Sequence, residues 1–226
     1  MNNSLIVIPV RMASKRFPGK PLVDIFGKSM IFHVWERAVK SKVGDVLVAC
    51  CDEEVMEYLK INKIKYVNTK KNLRSGTDRV YDAIRIAGKL KDYKYIINLQ
   101  GDLPNINPAD IRKLSNHIRK NNSEIVTLAT KIKDKKKVKD ENIVKVAISK
   151  NNNAYKAIFF SRAAIPYNSS SYYEHVGIYA YDIAILEKFI ALKQGVLEKL
   201  ESLEQLRALE NRINIDVSII NKAPYS

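Results

Sequence analysis

The sequence predicts an α/β fold: a doubly wound, mostly parallel but mixed sheet with helices on both faces, and a β arm in the second half. Three observations carry this. In the first half, short apolar runs alternate with stretches of helical periodicity, giving the order βαβαβαβα. Right-handed crossovers turn that order into a parallel sheet whose ligands bind at the carboxyl ends of the strands. The second half is richer in strands: EIVTLATKI, IVKVAIS, AYKAIFF and HVGIYAY. With 226 residues, 46% of them hydrophobic, the chain can bury a sizeable core, and one domain over 1–226 is expected.

The elements follow in order. SLIVIPV (4–10) is a buried strand. A helix starts near Ser29, with Met30, Ile31, Val34, Trp35 and Ala38 at helical spacing. Residues 45–50 form the next strand, and Asp52 is positioned to cap EEVMEYLK. A short strand near 64–67 precedes the loop NTKKNLRSGT, and Thr77 is a candidate cap for a helix carrying Val80, Ile84 and Ala87. YIINLQGD (95–102) reads as a buried strand ending in a turn. Asn107 then caps a helix with Pro108 at its first position. After the strands of the second half, helices are expected over about 182–193 and 196–210, and INIDVSII is the last strand.

Composition narrows the function classes. The formal charge of +15 suits an anionic partner, or a Lys- and Asn-rich surface without one. The basic run KIKDKKKVK (131–139) lacks interleaved aromatics, so it reads as a solvated loop and no nucleic-acid partner is expected. No segment is long enough to span a membrane, and no signal peptide is evident. Cys50 and Cys51 are adjacent and end an apolar run. Buried free thiols in a cytoplasmic protein are therefore expected.

Two places at the ligand edge of the predicted sheet carry chemistry. In RMASKRFPGK (11–20), Arg11, Lys15, Arg16 and Lys20 can all reach phosphate oxygens. Gly19 permits close backbone approach, and Pro18 stiffens the turn. The loop matches neither GxxxxGK[ST] nor GxGxxG. By composition it reads equally as a basic surface loop. Asp102 follows a buried strand and suits Mg²⁺ as well as it suits an Asx turn.

Six segments, in order, resemble the 3-deoxy-manno-octulosonate (KDO) cytidylyltransferase family: IPVRMASKRFPGKPL (8–22), SGTDR (75–79), NLQGDLP (98–104), FFSRAAIPY (159–167), HVGIYAY (175–181) and LESLEQLRALE (200–210). The resemblance implies a nucleotide-diphospho-sugar transferase-like fold. It also implies a reaction in which CTP and Mg²⁺ activate KDO as CMP-KDO, with release of pyrophosphate, for lipopolysaccharide synthesis. It makes Arg11, Lys20 and Asp102 catalytic and Asp102 the metal ligand. Arg11, Ser14, Arg16, Lys20, Ser75, Arg79 and Gln100 become nucleotide contacts. Gln100, Arg162, His175, Tyr179, Glu201 and Gln205 become sugar contacts, with Glu201 and Gln205 four apart on one helix face. A homodimer through an arm near 155–181 is implied as well. The 8-amino analogue of KDO is an alternative substrate.

Three departures from the family pattern stand out. Leu103 occupies the place of an acid in GDEP, and the segment between Pro166 and His175 is short. The chain also stops at NKAPYS, where the family continues with a segment like VDTPEDL that carries a second metal-binding Asp. A truncated, nucleotide-binding chain without turnover is therefore an alternative to the transferase.

Overall fold

The computed structural model describes residues 3–13, 18–151 and 154–225. Ser14, Lys15 and Arg16 of the basic loop lie outside the described residues. The chain divides into two compact units, Met1–Ser115 with Pro224–Ser226, and Asn116–Ala223.

The first unit is built on parallel strands. These are β1 (Ser4–Pro9), β4 (Asp45–Cys50), β5 (Tyr66–Asn68) and β6 (Tyr95–Leu99), in the order β5-β4-β1-β6. A two-residue-strand hairpin, β2 (Asp24–Ile25) with β3 (Lys28–Ser29), leads into helix α1 (Met30–Ser41). Helices α2 (Glu53–Ile61), α3 (Gly76–Ile86) and α4 (Pro108–Asn121) follow β4, β5 and β6. All six residues of β1 are buried, so both of its faces are covered, as a parallel α/β strand requires. The Ser29 hydroxyl accepts from the Phe32 amide and starts α1, whose Met30, Ile31, Val34 and Ala38 face the core. Asn107 accepts from the Ala109 amide at the start of α4, as its sequence suggests.

The second unit is mixed. Its strands are β7 (Ile125–Lys131), β8 (Lys145–Asn151), β9 (Ala154–Ser161), β10 (Tyr173–Asp182) and β11 (Ile215–Ile220), in the order β10-β7-β11-β9-β8. Only β7 and β11 run parallel; β10–β7, β11–β9 and the β8–β9 hairpin are antiparallel. β8 also meets β10 at Lys145 and Glu174, so the sheet curls back on itself. Helices α5 (Lys135–Lys139), α6 (Ile183–Ala191), α7 (Val196–Glu201) and α8 (Leu206–Glu210) connect the strands. The α/β class and the mixed sheet agree with the sequence reading.

Four local expectations are corrected. Ser75, not Thr77, caps α3: its hydroxyl accepts from the Asp78 amide and donates to the Asp78 carboxylate. Ser-x-x-Asp thus acts as the capping unit, and Thr77 sits inside the helix. Asp52 occupies the N-cap position of α2, yet its carboxylate makes no cap bond and turns to the Met12 amide instead. The basic run 131–139 is not all loop. Asp134 accepts from the Lys136 amide and starts the exposed helix α5. The stretch 196–210 is two helices, not one, because Ser202 adopts the left-handed conformation at φ 54°. Glu201 therefore ends α7, Gln205 precedes α8 without a side-chain cap bond, and the two do not share a helix face.

A buried ion pair fastens this corner. Arg207, 2% exposed, donates to both carboxylate oxygens of Glu198 at 2.7 and 2.6 Å, and its guanidinium lies 4.8 Å from the centre of the Phe189 ring. Desolvation pushes the Glu198 pKa up, but the bonds from Arg207 more than offset it, so the carboxyl stays below its usual range. Removing one partner strands the other charge in the core. We expect Arg207→Leu to lower stability by about 3–5 kcal/mol, and the Glu198→Leu/Arg207→Leu double variant to recover most of that loss. Urea unfolding measures both; equal losses in the single and double variants would contradict the pairing.

Candidate active site

The cleft of the first unit opens where β1 and β6 end. Its volume of about 240 Å³ far exceeds the roughly 10–15 Å³ that one water needs, so it is not a packing void. Pro9 ends β1, and Val10 and Arg11 follow it. Lys20 and Pro21 come from the turn after the basic loop, and Leu73, Ser75, Gly76 and Arg79 from the start of α3. Gln100, Gly101 and Asp102 follow β6. The structure thus brings together six of the sequence candidates: Arg11, Lys20, Ser75, Arg79, Gln100 and Asp102.

Local chemistry fixes each of them. Lys20 Nζ lies 3.1 Å from Asp102 Oδ2, and both side chains keep solvent contact, at 23% and 41% exposure. A pair this accessible is worth about 0–1 kcal/mol, so either partner can be redirected to a ligand at little cost. Gln100 Nε2 donates to Asn98 Oδ1 at 3.1 Å, and the fully buried Asn98 donates to Thr77 Oγ1 at 3.1 Å. This relay orients the Gln100 amide. Neither Asn98 nor Thr77 is a site candidate by sequence, where Thr77 reads as a helix cap, although a lone Asn inside YIINL is a signal. Gly101 sits so close to β1 that a Cβ would lie 2.9 Å from both Pro9 O and Val10 Cγ1. Leu103, in place of the family acid, is buried and packs.

Arg79 is less exposed than a phosphate ligand usually is. At 3% exposure it donates to Thr69 Oγ1, to Lys70 O at 3.2 Å and to Lys71 O at 3.5 Å. It ties the loop after β5 to the cleft wall. The Ser75 hydroxyl is engaged in capping α3. Cys50 and Cys51 are buried and unpaired, and burial pushes the Cys50 thiol up to about 12, so it is not a nucleophile.

The remaining candidates lie in the second unit. Arg162 and Glu201 form one cluster. Glu201 accepts from Ser161 Oγ at 2.7 Å and from the Arg162 amide at 3.0 Å. The Arg162 guanidinium donates through Nε to Glu201 O at 3.1 Å and through Nη1 to Glu141 O at 3.0 Å. Beneath the cluster lies Lys145, with no exposed surface. Its ammonium donates to three carbonyls, Asp140 O, Ile143 O and Arg162 O. Burial lowers its pKa.

His175 and Tyr179 flank an irregularity in β10, where the register against β7 shifts between Val176 and Tyr179. Thr127 sits opposite and donates to Ile178 O at 2.8 Å, so its oxygen accepts from His175 Nε2 at 3.0 Å. That assigns the proton to Nε2 and leaves Nδ1 an acceptor. The Phe160 ring lies 5.0 Å and the Tyr179 ring 5.5 Å from the imidazole. Although part of the residue is accessible, this enclosure lowers its pKa from 6.5 to about 3. Tyr179 is buried, and desolvation raises its pKa well above the usual value. Gln205 is 7% exposed, and its Nε2 has no hydrogen-bond partner among the described residues.

Residues 5–215 match the family model described as cytidylyltransferase. A 3-deoxy-manno-octulosonate cytidylyltransferase from Paramagnetospirillum magneticum is 41% identical over 97% of this chain and 90% of that protein. The chain belongs to the 3-deoxy-manno-octulosonate cytidylyltransferase family. A second relative of that name, from Bartonella quintana, is 40% identical over 97% of this chain and 91% of its own length. Among solved structures, a CMP:2-keto-3-deoxy-manno-octonic acid synthetase complexed with CTP superposes with a TM-score of 0.88 at 37% identity, covering 97% of this chain and 90% of that one. A cytidylyltransferase from Leptospira borgpetersenii, 16% identical with a TM-score of 0.62, shares the fold. No helix among the described residues is long and apolar enough to cross a membrane.

The state of His175 is testable. Its folded pKa lies below the unfolded one, so the unfolded chain binds the proton better. The resulting destabilisation is absent above about pH 6.5 and grows as pH falls toward about 3. We expect urea-unfolding stability to fall less steeply with acid across that window in His175→Gln than in the wild type. Parallel slopes would show that His175 protonates in place.

Proposed function

We propose that this chain transfers CMP from CTP to KDO, giving CMP-KDO and pyrophosphate. The observation that carries the reading is the convergence of Arg11, Lys20, Gln100 and Asp102 on one cleft at the carboxyl edge of a parallel sheet. A triphosphate brings several negative charges, and Arg11 and Lys20 supply cations that line the same cleft. As the KDO hydroxyl attacks the α-phosphorus in line, charge builds on the departing pyrophosphate. Two cations at the cleft stabilise that charge, Lys20 giving up only its weak, exposed pair with Asp102 to do so. Gln100, held by Asn98, offers a directed amide to base, ribose or sugar. Within this reading Ser14 and Arg16 extend the phosphate loop, and Ser75 and Arg79 shape the nucleotide wall.

Mg²⁺ fits the donor set at Asp102, which is an accessible carboxylate with hard oxygens. No group of three or more His, Cys, Asp or Glu side chains suited to a metal occurs among the described residues. A magnesium ion here would therefore take its other ligands from phosphate oxygens and water. When bound, it would polarise those oxygens and add to the charge that Lys20 and Arg11 already neutralise.

For the sugar we assign Arg162, His175, Tyr179, Glu201 and Gln205 of the second unit. Two carbonyls hold the guanidinium plane of Arg162, whose remaining donors suit a sugar carboxylate. Neutral His175 offers an acceptor at Nδ1, and Gln205 an unpartnered amide donor, both suited to hydroxyls. We place the reaction in a reducing cytoplasm, which the free Cys50 and Cys51 suit.

Pyrophosphate release with CTP, Mg²⁺ and KDO tests the reaction. We expect turnover by the wild type, loss of at least about a hundredfold in Asp102→Asn, and a raised KM for KDO but not for CTP in Arg162→Ala. CTP binding without turnover would sink the transferase reading for this chain. Unchanged turnover in Asp102→Asn would sink the metal assignment.

We further propose a homodimer through the segment near 155–181. Ile158 and Tyr167 there are 60% and 97% exposed, and a second copy would cover them. Sedimentation at micromolar concentration is expected to give a dimer; a monomer alone would refute it.

A further inference from the structure

Asp52 belongs to none of the groups assigned above, yet its carboxylate reaches the neck of the basic loop. The sequence places it as a helix cap, but its side chain makes no cap bond at α2. Instead Oδ2 accepts the Met12 amide at 2.9 Å, forty residues away in sequence. Met12 is held from its other side too, since its carbonyl accepts from the Gly19 amide at 3.1 Å. Gly19, at φ 75°, then turns the chain, and its carbonyl accepts from Leu22. Lys20 follows directly and lies 3.1 Å from Asp102. The two ends of the loop thus meet at Met12 and Gly19, and Asp52 anchors that junction to the end of β4.

We propose that Asp52 is a positioning residue for the nucleotide. Its carboxylate fixes the Met12 backbone and so sets where Arg11, on one side of the neck, and Lys20, on the other, stand in the cleft. It acts as a hydrogen-bond acceptor, not as a charge: a carboxylate near a triphosphate would repel it, so its value lies in the amide it holds. Aligned cations bind a triphosphate better than cations that must first be ordered. The inference rests on the nucleotide reading given above.

Calorimetric CTP binding by the full chain, with and without Mg²⁺, separates the possibilities. Asp52→Ala removes the acceptor and is expected to weaken CTP about tenfold. Asp52→Asn keeps an oxygen at the same reach and is expected to stay within about threefold of the wild type. In steady state the loss should appear in KM for CTP, with KM for KDO unchanged. Should Asp52→Ala fail to fold, Asp52→Ser, too short to reach the Met12 amide, is expected to show the same loss. Equal CTP affinity in wild type and Asp52→Ala, tighter binding in that variant, or an Asn variant as weak as the Ala variant would each overturn the assignment of Asp52. Absence of CTP binding by the wild type would overturn the nucleotide reading itself, and this inference with it.

Discussion

Strand β1 is bonded on both edges, to β4 and to β6, and covered on both faces. Its backbone groups go to the neighbouring strands, and from Leu5 to Pro9 its buried side chains are apolar. Charged groups can enter only where the strand runs out, because an unpaired charge inside the stack is strongly disfavoured. Pro9 and Val10 are the last such residues, and Arg11 comes next. The same reasoning applies to β6, where Leu99 is buried and Gln100 and Asp102 follow. Parallel alignment brings both transitions to one edge, and the cleft results from that constraint. Gly101 belongs to it as well, because β1 and the turn after β6 approach too closely there for a side chain.

Electrostatics then differ between the two units in a way that follows from burial. In the first, Lys20 and Asp102 pair at the surface, weakly enough to exchange partners. In the second, Lys145 has no surface at all. It satisfies its three protons with three carbonyls and no carboxylate. Such a cation serves as a fixed backbone clamp rather than an exchangeable ligand, because leaving any of its protons unpaired would cost the full desolvation of that donor. One of those carbonyls belongs to Arg162. The chain therefore separates charges that hold its shape from charges that remain available.

Much of this was legible in sequence because it rests on local rules. The apolar runs mark the strands, Asn107 marks a cap, the periodicity from Ser29 marks α1, and the six motif segments mark the family. What the sequence misplaced were choices between nearby partners. Ser75 and Thr77 both suit a cap, and the residue three places on decides: Asp78 answers Ser75. Asp52 suits a cap too, but the Met12 amide, brought close only by β1–β4 pairing, captures its carboxylate. The break at Ser202 has no Gly or Pro to announce it. It arises because the Glu198–Arg207 pair and the Glu210 carboxylate, which accepts from the Leu197 and Glu198 amides, fold the segment back on itself. Nonlocal contacts of that kind leave no periodic trace.

The corner at Ser202 also changes what Glu201 and Gln205 can do. On one continuous helix they would point the same way and compete for the same ligand atoms. With the chain turned, the Glu201 carboxylate is occupied by Ser161 and the Arg162 amide, and it acts as a brace for the end of β9. Gln205 instead keeps a buried amide nitrogen without a partner among the described residues. A buried donor left unpaired costs about 1–3 kcal/mol, a cost normally avoided unless a ligand oxygen satisfies the group when bound. Of the two residues, Gln205 therefore has the stronger physical case for direct contact with a hydroxyl, and Glu201 the stronger case for holding Arg162 in place.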